Sequence, residues 1–241
     1  MMSNLKAGIG SAYAAARYAR AEYRRSIRYQ RLIRQRNVAF AAYRNHSPRC
    51  LHLGAQNFVL SNWFNTDLEP VTEGVYYVDA TQPLPFPDGS FDFVFSEHMI
   101  EHIPFVSGLR LLAECRRVLK PSGVVRIATP NLRNILGLIA DHHPDIERYL
   151  HWAVQTFGLP TQPFPKAPMV INNFFRSWGH QFVYDPETLG EAMAQAGLRD
   201  IVQLQPGISS YAQLSMLEHH GQAIGEWTNE FETMVFEGSA P

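Results

Sequence analysis

Thiols are scarce in this chain of 241 residues: Cys50 and Cys115 are its only cysteines. Two can close one bridge, but they make neither a disulfide framework nor a zinc-ligand set. No apolar run reaches the roughly 20 residues needed to cross a bilayer. No compact apolar stretch follows a basic start, as a secretory leader requires. These absences predict a soluble chain in a reducing, cytoplasmic setting, without a transmembrane segment. Gly-x-Gly-x-x-Gly is also missing, so the dinucleotide fingerprint is absent. There is no repeat and no low-complexity tract. What is abundant is apolar surface, 46% of residues with 12% aromatic, which excludes general disorder.

Acidic residues are nearly absent from residues 1–49, where eleven Lys/Arg accompany a single acid, Glu22, for a local net charge of +10. The remainder holds ten basic and 21 acidic residues, net -11, so the formal total of -1 conceals a basic arm on an acidic body. Residues 11–36 lack proline and are rich in Ala, Arg, Tyr and Gln, which predicts helix. Ile9, Tyr13, Ala16, Tyr23 and Ile27 share one helical face, interrupted by Arg20, Arg31 and Arg34. The plain expectation is packing on the acidic body or a homo-oligomer. Sharper ones are an anionic membrane surface, a transit peptide or nucleic acid, the last ranking low for want of a motif. His46-Ser-Pro-Arg ends the helix, dividing the chain into an arm (1–46) and a body (47–241).

In the body, strands alternate with helices. RCLHLGA, NWFNTD, GVYYVDA, FDFVFSEH and GVVRIATPN read as strands, and RDIVQLQP and EFETMVFEGS as the last two. A helix over 107–119 is stopped by Lys-Pro-Ser-Gly, and Asp185-Pro-Glu-Thr opens another that Gly197 closes. Residues 132–180 form an aromatic, proline-bearing insertion expected to act as a substrate lid. Such alternation implies a parallel sheet whose ligands bind at the carboxyl ends of its strands. Those ends are 54–57, Asp67, Asp79, 96–98 and 129–131.

These strand-end residues resemble the class I S-adenosylmethionine-dependent methyltransferases, and most closely the small methyltransferase-like proteins associated with bacterial surface-sugar synthesis. LHLGAQ resembles the first glycine motif of that family. DATQPLPFPDGSFDFVFSEHMIEHI, followed by LKPSGVVRIATPN, resembles its run from third to fifth strand; GHQFVYDPETLGEAMAQAGL and LEHHGQAIGEWTNEFETMVFE resemble its closing segments. The resemblance implies an α/β, three-layer Rossmann-like methyltransferase fold, mostly parallel, with an antiparallel last strand. It implies S-adenosylmethionine as cofactor, and methyl transfer to an oxygen, less readily a nitrogen, of a small-molecule or glycan-like acceptor.

By the same resemblance, Gly54, Ala55 and Gln56 form the cofactor loop, Asp67 meets the ribose, Asp79 with Ala80 meets the adenine, and Ser96 completes the cofactor site. His98 is the expected general base, with Glu97 beside it, or Glu101 in its place. His180 and His219 are expected to face the acceptor. The loop departs from the family where Ala55-Gln56 replaces a glycine-bearing pair, and a positive φ at Gln56 would cost on the order of 1 kcal/mol. The span from Gly54 to Asp67 is too short for a crossover helix. The alternative is therefore a binding or scaffold protein on the same fold. His98-Met-Ile-Glu101-His102 also fits the inverted zinc-protease pattern H-x-x-E-H, but it leaves a buried strand, and no metal site is expected. The pairs His142-His143 and His219-His220 point in different directions on helices, so neither is a metal site alone.

Overall fold

The computed structural model describes residues 2–140 and 143–241, with the side chains of Arg20 and of residues from 23 onward. It divides into two compact units, one ending at Asn45 and one spanning His46–Pro241. The first is a single helix, α1 (Met2–Tyr43), longer at both ends than its composition predicts. Tyr23 and Ile27 of its expected apolar face are exposed, while Ile9, Tyr13 and Ala16 lie outside the described side chains. His142 lies outside the described residues.

The second unit holds a seven-stranded sheet: β1 (Cys50–Leu53), β2 (Phe64–Asp67), β3 (Val75–Tyr77), β4 (Phe91–Glu97), β5 (Leu119–Pro130), β6 (Arg199–Leu204) and β7 (Thr233–Ser239). Their order is β3-β2-β1-β4-β5-β7-β6. β7 runs antiparallel to both neighbours, and the other pairings are parallel, as expected of the last strand. Sequence patterning overextends this strand: residues 230–232 are the end of a helix, α8 (Glu226–Glu232). The connection from β1 to β2 is a string of turns without a helix, because ten residues leave no room for one.

Helix α2 (Phe105–Val118) places Leu111, Leu112 and Cys115 inside and Arg117 at its end. Arg117 donates to the carbonyls of Leu84 and Phe86, pinning the proline-rich loop and setting Phe86 edge-on to Phe64 and Phe91. Helix α6 (Pro186–Gln195) begins where Asp185 accepts from Thr188 N at 2.8 Å with Pro186 next in line. The opposite face of the sheet, marked by His52, Phe95 and Arg126, is covered by Trp63 and by the 205–218 segment. Arg126 is fully buried there, bonded to Glu218 (2.6 Å), Glu237 (2.7 Å) and the Ile208 carbonyl (2.8 Å). The aromatic insertion is α3 (Leu132–Ala140), α4 (Pro144–Phe157) and α5 (Lys166–Arg176), with a core of its own around Ile135, Tyr149, Leu150 and Phe174.

Candidate active site

β1 ends at Gly54, whose φ is +76°. A Cβ there would stand 2.6 Å from Met99 Cγ, so this backbone approach excludes every side chain. The amides of Gly54 and Ala55 both donate to the Thr66 carbonyl at 2.9 Å, and Gln56 N donates to Asp67 Oδ2 at 2.9 Å. The loop is thus fastened to β2. Gln56 has a positive φ, at 45°, and so carries the strain considered above. Asp67 accepts a second amide, from Glu69, and Asp79 Oδ1 accepts from Thr81 N and Oγ1. Ser96 is buried at the end of β4, and its hydroxyl has no partner among the described residues.

A cavity of about 360 Å³ opens where β1, β4 and β5 end. Its sheet side is formed by Gly54, Ala55, Gln56, Glu97 and His98, and its far side by aromatic groups of α4 and α5 with Trp178. His180 and His219, the expected acceptor contacts, also line it, as do His220, in α7 (His220–Ile224), and Glu232. Asp67, Asp79, Ala80 and Ser96 do not line this cavity. The structure therefore brings the loop, the two residues expected to be catalytic and both expected acceptor contacts to one space. The residues expected at ribose and adenine lie apart from it.

The carboxylates at the site differ in their partners. Glu97 is buried and accepts from the amides of His219 (3.1 Å) and His220 (3.0 Å), while His219 Nδ1 stands 2.5 Å from it. Burial pushes its pKa up, but these contacts outweigh that and hold it below the ordinary range. The His219 ring is also stacked on Phe58 at 3.5 Å. Glu101 is wholly buried, accepting from Thr129 Oγ1 at 3.0 Å and facing His98 Nδ1 at 3.2 Å. Burial raises it too, and His98 overcomes the effect, so Glu101 stays ionised.

His98 sits at φ +46°, an unusual backbone for a non-glycine residue. Its Nε2 is 3.0 Å from Thr233 Oγ1, which gives its own proton to Asn229 Oδ1 at 2.8 Å. The histidine must donate to Thr233, and it must donate to the acceptor-only Glu101 carboxylate as well. With protons on both ring nitrogens, His98 is an imidazolium. Burial opposes that charge, but Glu101 outweighs it and the pKa is raised. The expected general base is thus a cation fixed by Glu101, and Glu97 is an anchor for the 219–220 backbone.

Glu232 was missed by sequence patterning because its segment reads as a strand. The helical signal was the spacing of Trp227 and Phe231, which stack at 6.0 Å. Glu232 is partly buried and accepts from the Tyr149 hydroxyl at 2.7 Å; burial raises its pKa against the pull of His98 and Tyr149. Burial likewise lowers His180, and lowers His220 to about 4 with help from the His98 charge.

Glu101, His102 and His180 bring one potential ligand atom each within 4.8 Å of one another, a different set from the one H-x-x-E-H suggests. The segment is a 3-10 turn, Ile100–His102, and both Glu101 oxygens already have hydrogen-bond partners. The Glu101 carboxylate is thus already engaged by His98 and Thr129.

Residues 58–127 match the methyltransferase domain family, a span from the loop after β1 into β5. No curated protein matches the chain. Among solved structures, the chain is similar to an S-adenosylmethionine-dependent methyltransferase of Archaeoglobus fulgidus, at 17% identity over 87% of this chain and 93% of that one, with a TM-score of 0.46. It is similar to another from Mesorhizobium loti, at 16% identity over 79% of this chain and 90% of that one, TM-score 0.45. A third is phosphoethanolamine N-methyltransferase 2 of Haemonchus contortus, at 14% identity over 86% of this chain, TM-score 0.43; the alignment covers 52% of that protein.

Proposed function

We propose that this chain is an S-adenosylmethionine-dependent methyltransferase acting on an oxygen, or secondarily a nitrogen, of a small acceptor, glycan-like ones included, seated in the 360 Å³ cavity. The observation that carries the reading is the meeting of the 54–56 loop with the end of β4 in one space, closed on the far side by an aromatic insertion. The fold order and the match over residues 58–127 support it.

The chain's residues fit the cofactor. Gly54 makes the sharp turn after β1 at φ +76°, the Ser96 hydroxyl has no partner among the described residues, and Asp79 has used only one side-chain oxygen, on Thr81. Gly54, Ala55, Gln56 and Ser96 would hold its amino-acid end, Asp67 its ribose, and Asp79 with Ala80 its adenine. When bound, the cofactor supplies an electrophilic methyl group on a sulfonium. The protein's own part is positioning and exclusion of water by Tyr149, Trp152 and Phe174. His98, already protonated, supplies fixed positive charge and cannot take a proton. Glu232, whose pKa burial raises and which accepts from the Tyr149 hydroxyl, is the group we assign to receive one from an acceptor hydroxyl.

A second reading, a binding or scaffold protein, draws on the bonds that close the loop: Gln56 N to Asp67 and the Phe58–His219 stack. Calorimetric titration with S-adenosylmethionine and with S-adenosylhomocysteine separates the two. We expect micromolar affinity, weakened at least about tenfold by Asp79→Ala, since losing a hydrogen bond to a charged group costs about 1.5–3 kcal/mol. A folded wild type that binds neither would hand the case to the scaffold reading.

A further inference from the structure

We infer that the cavity selects an acceptor carrying an ammonium group, held between Glu232 and the aromatic wall formed by Tyr149, Trp152, Phe157 and Trp178. This rests on the proposal that the cavity is the acceptor site, and narrows the acceptor from neutral sugars to cations.

The charges around the cavity carry the inference. Three carboxylates line it, and no lysine or arginine does among the described residues. Glu97 is already engaged by the His219 ring and by the amides of His219 and His220, and Glu101 is engaged by His98. Glu232 has no ion-pair partner among the described residues and is held by one neutral donor, the Tyr149 hydroxyl. A carboxylate partly withdrawn from water without a close counter-ion favours either taking up a proton or pairing with a cation. Burial draws the Glu232 pKa upward, the behaviour of a group in that position. Burial lowers the pKa values of His180 and His220, so those rings do not supply the charge, and the charge on His98, which also reaches Glu232, is held by Glu101.

The aromatic wall of the cavity is continuous and begins at Tyr149, the donor to Glu232. Tyr149 and Trp152 lie 5.5 Å apart, Trp152 and Phe157 5.4 Å, and Phe157 and Trp178 4.8 Å between ring centroids. All four rings line the cavity. Aromatic faces attract a cation through their quadrupole, and the effect is larger where the cation is desolvated. A neutral sugar would gain stacking but would leave Glu232 uncompensated. An ammonium group answers both features at once.

Choline and 3,3-dimethyl-1-butanol have the same shape and differ in charge, so they are suitable probes. Their affinities for the full chain are measured by tryptophan fluorescence and calorimetry, with and without S-adenosylhomocysteine. We expect choline to bind at least tenfold more tightly than the neutral isostere, and Glu232→Gln to erase that preference. Tyr149→Phe, which removes the hydroxyl donor to Glu232, should keep it. Equal affinity for the two probes, or binding of neither by a protein that still binds S-adenosylhomocysteine, would overturn the inference and leave the methyltransferase reading standing. A choline preference without S-adenosylhomocysteine binding would sustain the cation site and sink the cofactor.

Discussion

At the scale of single residues, the body's buried histidines have opposite consequences for stability. His52 is fully buried between Asn65 and Phe95, with one ring nitrogen unpartnered, and burial lowers its pKa to about 4. Its unfolded value is about 6.5, so the unfolded chain binds the proton more readily. The stability it contributes is present above pH 6.5 and is lost as the pH falls toward 4. His98 has the opposite sign: its contribution is complete below 6.5 and fades as the pH rises through its raised value. Denaturant unfolding of the wild type and of a His52 variant, each at pH 7 and pH 5, isolates the first effect, since His220 titrates over the same range in both. His52→Phe should shrink the loss of stability between those two pH values by about 2 kcal/mol; a variant with the wild-type difference would show that His52 does not titrate in this range.

At the scale of elements, β5 and β7 are joined to the 205–218 segment through the buried Arg126 ion cluster. Its guanidinium Nη2 has no partner among the described residues. Arg126→Met would leave two buried carboxylates uncompensated, a change that costs about 3–5 kcal/mol. Adding Glu218→Gln and Glu237→Gln should restore much of the loss, and differential scanning calorimetry of single and triple variants checks both statements. Equal melting temperatures for wild type and Arg126→Met would mean the cluster contributes nothing. The strands at this level were readable in the sequence because β4 and β5 are apolar runs bounded by turn residues. The Arg126 cluster was not: its partners lie 92 and 111 positions away, and nothing local marks their meeting. Glu232 escaped for a local reason, since EFETMVFE alternates well enough to pass as a strand. His98 was found by position, but its charge depends on Thr233 and Asn229, which only the fold delivers.

At the scale of the whole molecule, the organisation of the sheet follows from β7. It pairs with β5 over residues 124–130 and with β6 on its other side, so it joins the sheet from within. A chain ending at Glu232 would separate β6 from the rest of the sheet. We expect such a truncation to lose cooperative thermal unfolding by circular dichroism; a sharp transition near the full-length temperature would show that β7 is dispensable. The candidate site shares this dependence, because Thr233, the acceptor that fixes His98, is the first residue of β7. During synthesis the ribosome releases β1 to β5 well before Thr233 appears. Until then β5 has an open edge of the kind that recruits other chains. Nascent protein would therefore be vulnerable to aggregation in the interval between the completion of β5 and the arrival of β7, and the histidine at the heart of the cavity would acquire its final partner only when that interval closes.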